Sequence, residues 1–514
     1  MLVIPGILAN ANKGTATAYK LSLINDTTSV IIYESDSLSS MMTYLSTYTI
    51  SAPTTLQFNT SDTFPITSIL TFNFSNGANL FRVKAKAGAV PIIDAQNALA
   101  SVMLSSMSNF EWNGVNLHNA NINDVAGCIV RHNANTINIT YANMKFKRGY
   151  CAMRATGSQD GSGNTTAIIE NMTIRDCVVE DTINGSFRLG NGDNPVITAT
   201  SDFNSRTDAY YDMKNITIEN VTLVDNFNKG PVTGYATGFM GMLILKKTLN
   251  LTVRNFVCNN TSESLFQIES GKNVLIDKMI CDNFGCRGLS NQQGINITNV
   301  DGMTIKNTFV KPNADTIGKT LVNLVNIRDL NMYYNSIIYV NTGDIPINTD
   351  KLARVRLIGN LFKSSGSYNP CSIVFTRQYG YTPSIAQDLL AEDYNVFCSA
   401  GTYNVGLKIV DNITTPVAVN VEVQINTTGA KITPATYRST YNLGANSAFV
   451  ITTAITTTTR INPDATTSRP FYLSDASSGR NLVSSQQGGI TIDCFGFTRT
   501  YPTDAGAADK DAIV

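Results

Sequence analysis

Between residues 160 and 235 the sequence gathers Asp160, Arg188, Asp193, Asp202, Arg206, Asp208, Tyr210, Tyr211, Asp212 and Tyr235. Paired carboxylates can act as acid and base in glycoside hydrolysis when a fold sets them at the separations that chemistry needs. Asp193, Asp202, Asp208 and Asp212 are the catalytic candidates on that ground. Aromatic faces stack on sugar rings, and arginines and carboxylates bind the groups around them. Asp160, Arg188, Arg206, Tyr210, Tyr211 and Tyr235 are therefore the candidate ligand-binding residues. Ordinary solvated loops would carry the same residue types, so the two readings stand side by side. A second aromatic stretch, SGSYNPCSIVFTRQYGYTP (365–383), offers Tyr368, Arg377, Tyr379 and Tyr381, either for binding or as a structural loop or subunit contact.

Other chemistry is thinly supplied. The two histidines, His118 in NLHNA and His132 in IVRHNAN, read as turn or surface residues rather than general bases. Nine cysteines are scattered without a CxxC pair, so neither a disulfide framework nor a metal site is expected. No cofactor is expected either. With 38 basic and 38 acidic residues and only 15% charged, the chain lacks the basic excess of a nucleic-acid binder. The start, MLVIPGILANANKG, has no basic leader region, and no apolar run is long enough for membrane insertion.

What must position the candidates is a repeat. NMTIRDCVVED, NITIENVTLVDN, NLTVRNFVCNN and NVLIDKMICDN are versions of one dozen residues. The first alternating apolar residue of each copy is Phe110, Ile139, Met172, Ile216, Leu251, Val274, Met303, Leu330 and Val355, at intervals of 29, 33, 44, 35, 23, 29, 27 and 25. Self-similarity at this period marks a solenoid, and the apolar period of two within each copy marks strands. Intervals this short leave little room for crossover helices, so the expected fold is all-β: a right-handed parallel β-helix. Asn143, Asn220, Asn255, Asn307 and Gly114 recur at the break between strands, where a corner needs left-handed backbone, and stacked Asn side chains can bond along a ladder. Cys258 and Cys281 occupy equivalent places in two copies and should stack in the core.

Expected domains are an N-terminal attachment and capping segment (1–50), the β-helix (51–400) and a C-terminal β-rich module (401–514). DSLSSMMTYLSTYTI (36–50) predicts a capping amphipathic helix, and VAVNVEVQI (417–425) an antiparallel strand. The long intervals 33, 44 and 35 fall together, and their extra residues (157–166, 183–212 and 226–239) should project side by side as one loop cluster.

FRVKAKAGAVPIIDAQN (81–97) followed by FEWNGVNLHNA (110–120) resembles the entry coils of right-handed parallel β-helix proteins of the pectin-lyase-like superfamily. AEDYNVF (391–397) is similar to a late coil, so the resemblance spans about residues 50 to 400. Enzymes of that superfamily carry signatures missing here: Asn313-Ala-Asp315 is not an N-T-D, and there is no Asp-Asp doublet, G-H-G, R-I-K or W-I-D-H. Tailspike-type members are commonly trimers, so a homotrimer is what the resemblance implies. The expected function is a virion surface protein, a phage-like fibre, spike or capsid or tail appendage. It would bind a host surface polysaccharide or scaffold other virion proteins. The alternatives are a polysaccharide lyase or glycoside hydrolase, and a non-catalytic cell-surface adhesin.

Overall fold

The computed structural model describes residues 19–122, 128–133, 135–159, 165–182, 186–190, 203–204, 206–224, 243–259, 266–284, 294–312, 321–338, 347–364, 371–377, 388–399, 403–411, 417–424, 432–451, 457–461, 468–473, 481–494 and 498–507. Within them the chain winds as a right-handed parallel β-helix. Each coil lays down three strands in turn. Sheet I begins with Thr54–Phe58, Phe81–Ala85 and Phe110–Asn113. Sheet II begins with Thr63–Pro65, Ile92–Asp94, Asn116–His118 and Lys145–Gly149. Sheet III begins with Leu70–Phe72, Met103–Ser105, Val130–His132, Met153–Ala155 and Phe187–Leu189. All of these pairs are parallel, and the chain passes from sheet I to II to III and back to I.

The repeat anchors stack in register: Phe110 on Ile139, Ile139 on Met172, Met172 on Ile216, Ile216 on Leu251, and so on through Val274, Met303, Leu330 and Val355. Later coils use long bent strands such as Met213–Val224, which turns at Asn215 and again at Asn220, both with φ of 54°. Asparagine tolerates this left-handed backbone, because its short polar side chain bonds locally. The expected corner residues Gly114, Asn143, Asn220, Asn255 and Asn307 all have positive φ. Their side chains also bond coil to coil: Nδ2 of Asn255 donates to Oδ1 of Asn220 at 2.8 Å, and that of Asn143 to Asn113 at 3.0 Å. A second ladder runs along the corner before sheet I, through Asn109, Asn138, Asn171, Asn215, Asn250 and Asn273.

Alternation sends one side of each strand inward. Ile216, Ile218, Val221 and Leu223 are buried, and the interior is a continuous apolar stack from Leu21 to Phe449. Each such side chain contributes about 1.5–3 kcal/mol by leaving water. Early coils are filled by aromatics: Phe81 lies 6.4 Å from Phe110, and Trp112 meets Phe72 edge-on at 5.6 Å. Cys258 and Cys281 stack in register in the core, as expected. Two expectations are corrected. Cys128 and Cys151, on adjacent coils with Cα atoms 4.7 Å apart, form a disulfide. His132 is neither turn nor surface: it lies inside the coil between Tyr141 (3.1 Å) and Thr136 (2.9 Å), and burial pushes its pKa down to about 3.

The amino-terminal end is closed by a hairpin, Leu21–Asn25 with Val30–Ser35, and by helix Leu38–Thr47. Ser37 caps that helix, and Leu38, Met41 and Leu45 face the core. Stacking continues past residue 400: Ala448–Ile451 pairs in parallel with Val396–Ser399, and Cys371–Arg377 with Tyr403–Asp411. Val417–Gln424 is antiparallel to Tyr403–Asp411, as its alternation suggests. The carboxy-terminal part is not wholly β, since Pro434–Tyr441 is a helix that lays Tyr437 against Phe449 at the end of the core. Residues 481–507 then return along the outside of sheet II. There Cys494, Ala505 and Ala507 cover Ile280, Phe309, Leu361 and Val396. Arg499 fixes this segment, donating to the carbonyls of Gly506 and Ala507 (both 2.9 Å) above the ring of Tyr334.

Candidate functional site

The register decides where the long loops emerge. Residues 157–166 leave sheet III after Met153–Ala155 and return to sheet I, and residues 190–212 do the same one coil later. The stretch 183–212 is therefore not one insertion, because Phe187–Leu189 within it is a regular strand of sheet III. The third long loop connects Val224 in sheet II to Leu243 in sheet III, so it enters from the opposite corner. The described ends of these connections thus lie at the two corners that flank sheet III, the first two at the corner toward sheet I and the third at the corner from sheet II.

The first two loops are joined to each other. The Thr165 hydroxyl donates to the Tyr210 carbonyl at 2.8 Å, and Ile169 N–H donates to the Asp212 carbonyl at 2.8 Å. Gly157 packs so closely on Asp212 that a Cβ there would come within 2.5 Å of the aspartate's own Cβ. The end of the second loop then reaches along the rod. Asp208 pairs with Lys272 at 2.9 Å, and Asn204 accepts from Arg328 at 2.7 Å. Arg328 is itself held by Asp301 through two bonds of 2.7 Å. Arg206 and Lys247 sit 4.0 and 4.2 Å from the centroid of the Tyr210 ring, which meets Tyr211 edge-on at 5.1 Å. This is a pinned wall along one side of sheet III.

These contacts redefine several candidates. Tyr211 and Asp212 are buried and belong to the wall's interior. The Tyr210 ring is already engaged by two cations. Asp208 is exposed, and its bond to Lys272 holds its carboxyl below the usual range, which suits a fixed anion rather than a proton donor. Asp160, Asp193, Asp202 and Tyr235 lie outside the described residues, as do Tyr368, Tyr379, Tyr381 and Asn313 to Asp315. Arg377 ends the strand Cys371–Arg377. His118 lies on the outer face of sheet II between Asp94 and Lys147, where burial, then Lys147, lowers its pKa.

Arg188 is the candidate on the outer face of sheet III itself. Each sheet III strand here is three residues long, with its outer two buried and its middle one turned outward. In register, the middle residues are Thr71, Leu104, Arg131, Arg154 and Arg188. Three arginines therefore stand on three successive coils. Arg131 and Arg154 are exposed and Arg188 is half-buried. Among the described residues no carboxylate pairs with any of them. Desolvation, then the neighbouring Arg188 and Arg131, hold the Arg154 pKa below the ordinary guanidinium value. Like charges one strand spacing apart, about 4.8 Å, repel by about 1 kcal/mol in water and by about 3 kcal/mol at an effective dielectric of about 20.

Arg131 and Arg154 were missed in the sequence although a signal exists. Each arginine sits in an apolar–Arg–apolar triplet or its near equivalent: VRH, MRA and FRL. The triplets follow one another at intervals of 23 and 34 residues, one coil each.

No family model matches the chain, and no curated protein matches it in sequence. Among solved structures it is similar to the A-module of a mannuronan C-5 epimerase from Azotobacter vinelandii, at 13% identity over 70% of this chain and 88% of that one, with a TM-score of 0.39. It is similar to pectate lyase Pel9A at 13% identity over 93% and 92% of the two chains, with a TM-score of 0.40. It is also similar to tailspike protein 3 of bacteriophage CBA120, at 10% identity over 73% and 54%, with a TM-score of 0.35. At such identities and scores these are likenesses of coil architecture, and the site rests on its own geometry.

Proposed function

We propose that the chain is a glycan-binding rod whose binding face is the outside of sheet III. One observation carries this reading. The long connections of consecutive coils begin and end at the two corners that flank a single face, and a solenoid uses such connections to shape a binding surface. The pinned wall at residues 203–212 supplies the rigidity that recognition of a flexible polymer needs. We further propose that the rod is displayed on a virion as a fibre, spike or appendage, as a homo-oligomer, with its Asn-, Ser- and Thr-rich exterior keeping it soluble at zero net charge.

The test is a panel of immobilised polysaccharides probed with the intact chain, alongside assays for new reducing ends and unsaturated products. Binding without products is the expected result. Turnover of any polysaccharide would replace this reading with an enzymatic one, and no retention on any member would overturn it. Solution mass tests the oligomer, and co-purification with particles tests the virion placement.

A further inference from the structure

Resting on the glycan-binding reading, we infer that the ligand of sheet III is a linear polyanion, a polysaccharide carrying carboxylate or sulfate groups along its length, held by Arg131, Arg154 and Arg188. The first ground is placement. The three side chains share one outward column on consecutive coils, and Leu104 precedes them in the same column. A polymer laid along the rod axis would meet one guanidinium per coil, about every 4.8 Å.

The second ground is the contrast with the rest of the rod. Many cations elsewhere on the coil surface are neutralised across coils: Arg82 by Asp26 and Glu111, Lys145 and Lys147 by Glu180, Lys246 by Glu269, Arg328 by Asp301, and Arg354 by Asp329. Others, such as Lys84, Lys214 and Lys278, have no such partner among the described residues, but on sheet III three of one sign stand in register on successive coils. The sequence as a whole balances its charges, 38 against 38. Three adjacent arginines without a carboxylate among the described residues, on the face between the two corners from which the long connections leave, form a local surplus of positive charge. Such a surplus raises the local concentration of an anionic partner.

The third ground is residue type. Guanidinium groups bind carboxylate and sulfate oxygens through two parallel bonds and stay charged at any physiological pH. Neutral sugars offer no group that needs three such forks.

The experiment measures binding of the full chain to polygalacturonate, chondroitin sulfate, fully methyl-esterified polygalacturonate, dextran and single-stranded DNA. Wild type is compared with Arg154→Gln, Arg154→Lys and the triple Arg131→Gln/Arg154→Gln/Arg188→Gln variant. Far-UV circular dichroism confirms the fold of each, and all are substitutions at outward positions. The expected result is binding to polygalacturonate, to chondroitin sulfate or to both, with the preferred one reporting which acid the site takes. Arg154→Gln should weaken that binding about tenfold, as loss of a charge-assisted bond implies. Arg154→Lys should retain part of it, and the triple variant should abolish it. Affinity should fall as salt rises. Binding to dextran or the methyl ester with no effect of the variants would overturn the polyanion assignment and leave the glycan-binding reading standing. Absence of binding to every polysaccharide would overturn both, and tighter binding to single-stranded DNA than to either acidic polysaccharide would overturn the assignment in favour of nucleic acid.

Discussion

Asn360 lies wholly inside the coil in a third asparagine ladder, Asn335–Asn360–Asn395. Its Oδ1 accepts from the backbone N–H and the Nδ2 of Asn335, each at 3.0 Å, and its Nδ2 donates to Oδ1 of Asn395 and to the Met332 carbonyl, each at 2.9 Å. In Asn360→Ala, Asn395 Oδ1 keeps the backbone N–H of residue 360 (2.9 Å), and Asn335 Nδ2 keeps the Ile305 carbonyl (2.8 Å). Two donor hydrogens of Asn335 lose their partner, while the Met332 carbonyl keeps its place in the parallel ladder with the coil of Leu361 through Ile358. At about 1–3 kcal/mol for each buried group stranded, the loss is about 2–6 kcal/mol. Asn250→Ala in the solvent-facing ladder loses comparable bonds to Asn215 (2.8 Å) and Asn273 (3.0 Å), but water replaces them. What remains is the strain of alanine at φ of 57°, about 1–2 kcal/mol. Urea denaturation followed by far-UV circular dichroism, with hydrogen exchange of peptides covering residues 321–364, gives both values. Equal losses in the two variants, or an Asn360→Ala protein within 1 kcal/mol of wild type, would refute the argument from burial.

Two further perturbations test other parts of the structure. His132 is held neutral, with its pKa pushed from about 6.5 down to about 3, so its contribution to stability is complete above pH 6.5 and is lost progressively as pH falls toward 3. That amounts to about 1.4 kcal/mol per pH unit below about pH 6, and about 5 kcal/mol in all. His132→Gln should flatten the urea midpoint between pH 6 and 5, and an unchanged slope would contradict the assignment. Gly190, at φ of 86°, stands where the second loop leaves sheet III, and a Cβ there would lie 1.8 Å from the Lys246 carbonyl oxygen. Gly190→Ala should cost about 3 kcal/mol or more and admit protease within residues 190–212, read by limited proteolysis and mass spectrometry. A protease-resistant variant with wild-type stability would show that the corner is looser than described.

Most of the scaffold was legible because the strands of sheet I repeat a two-residue apolar period, and every anchor from Phe110 to Val355 found its partner in register. The corner asparagines were legible for a related reason: few residues accept positive φ. Sheet III was not legible. Its early strands are three residues long, too short for periodicity, so FRL was read as part of a loop and VRH and MRA were not aligned with it. Without sheet III, offsets counted from sheet I do not tell one corner from the other, so the third connection reads as part of the same cluster although it leaves from a different corner. Asp212 is buried against Gly157 of another coil, which no local pattern reports, and His132 is turned inward at a corner that its own triplet does not reveal. The bridge between Cys128 and Cys151 escaped notice because coil lengths vary, so a spacing of 23 did not stand out as one coil. The returning segment at residues 481–507 has no repeat at all, and its apolar contacts are with side chains more than 80 residues away.

The central claim is that the outer face of sheet III binds glycan, and footprinting tests it most directly. Hydroxyl-radical labelling of the intact chain, with and without the polysaccharide that it retains best, reports which side chains the ligand covers. The account predicts protection at residues 130–132, 153–155 and 187–189 and along the wall at 203–211, with the outer face of sheet II unchanged. Protection on the outer face of sheet II, or at the two ends of the rod with sheet III fully labelled, would contradict it.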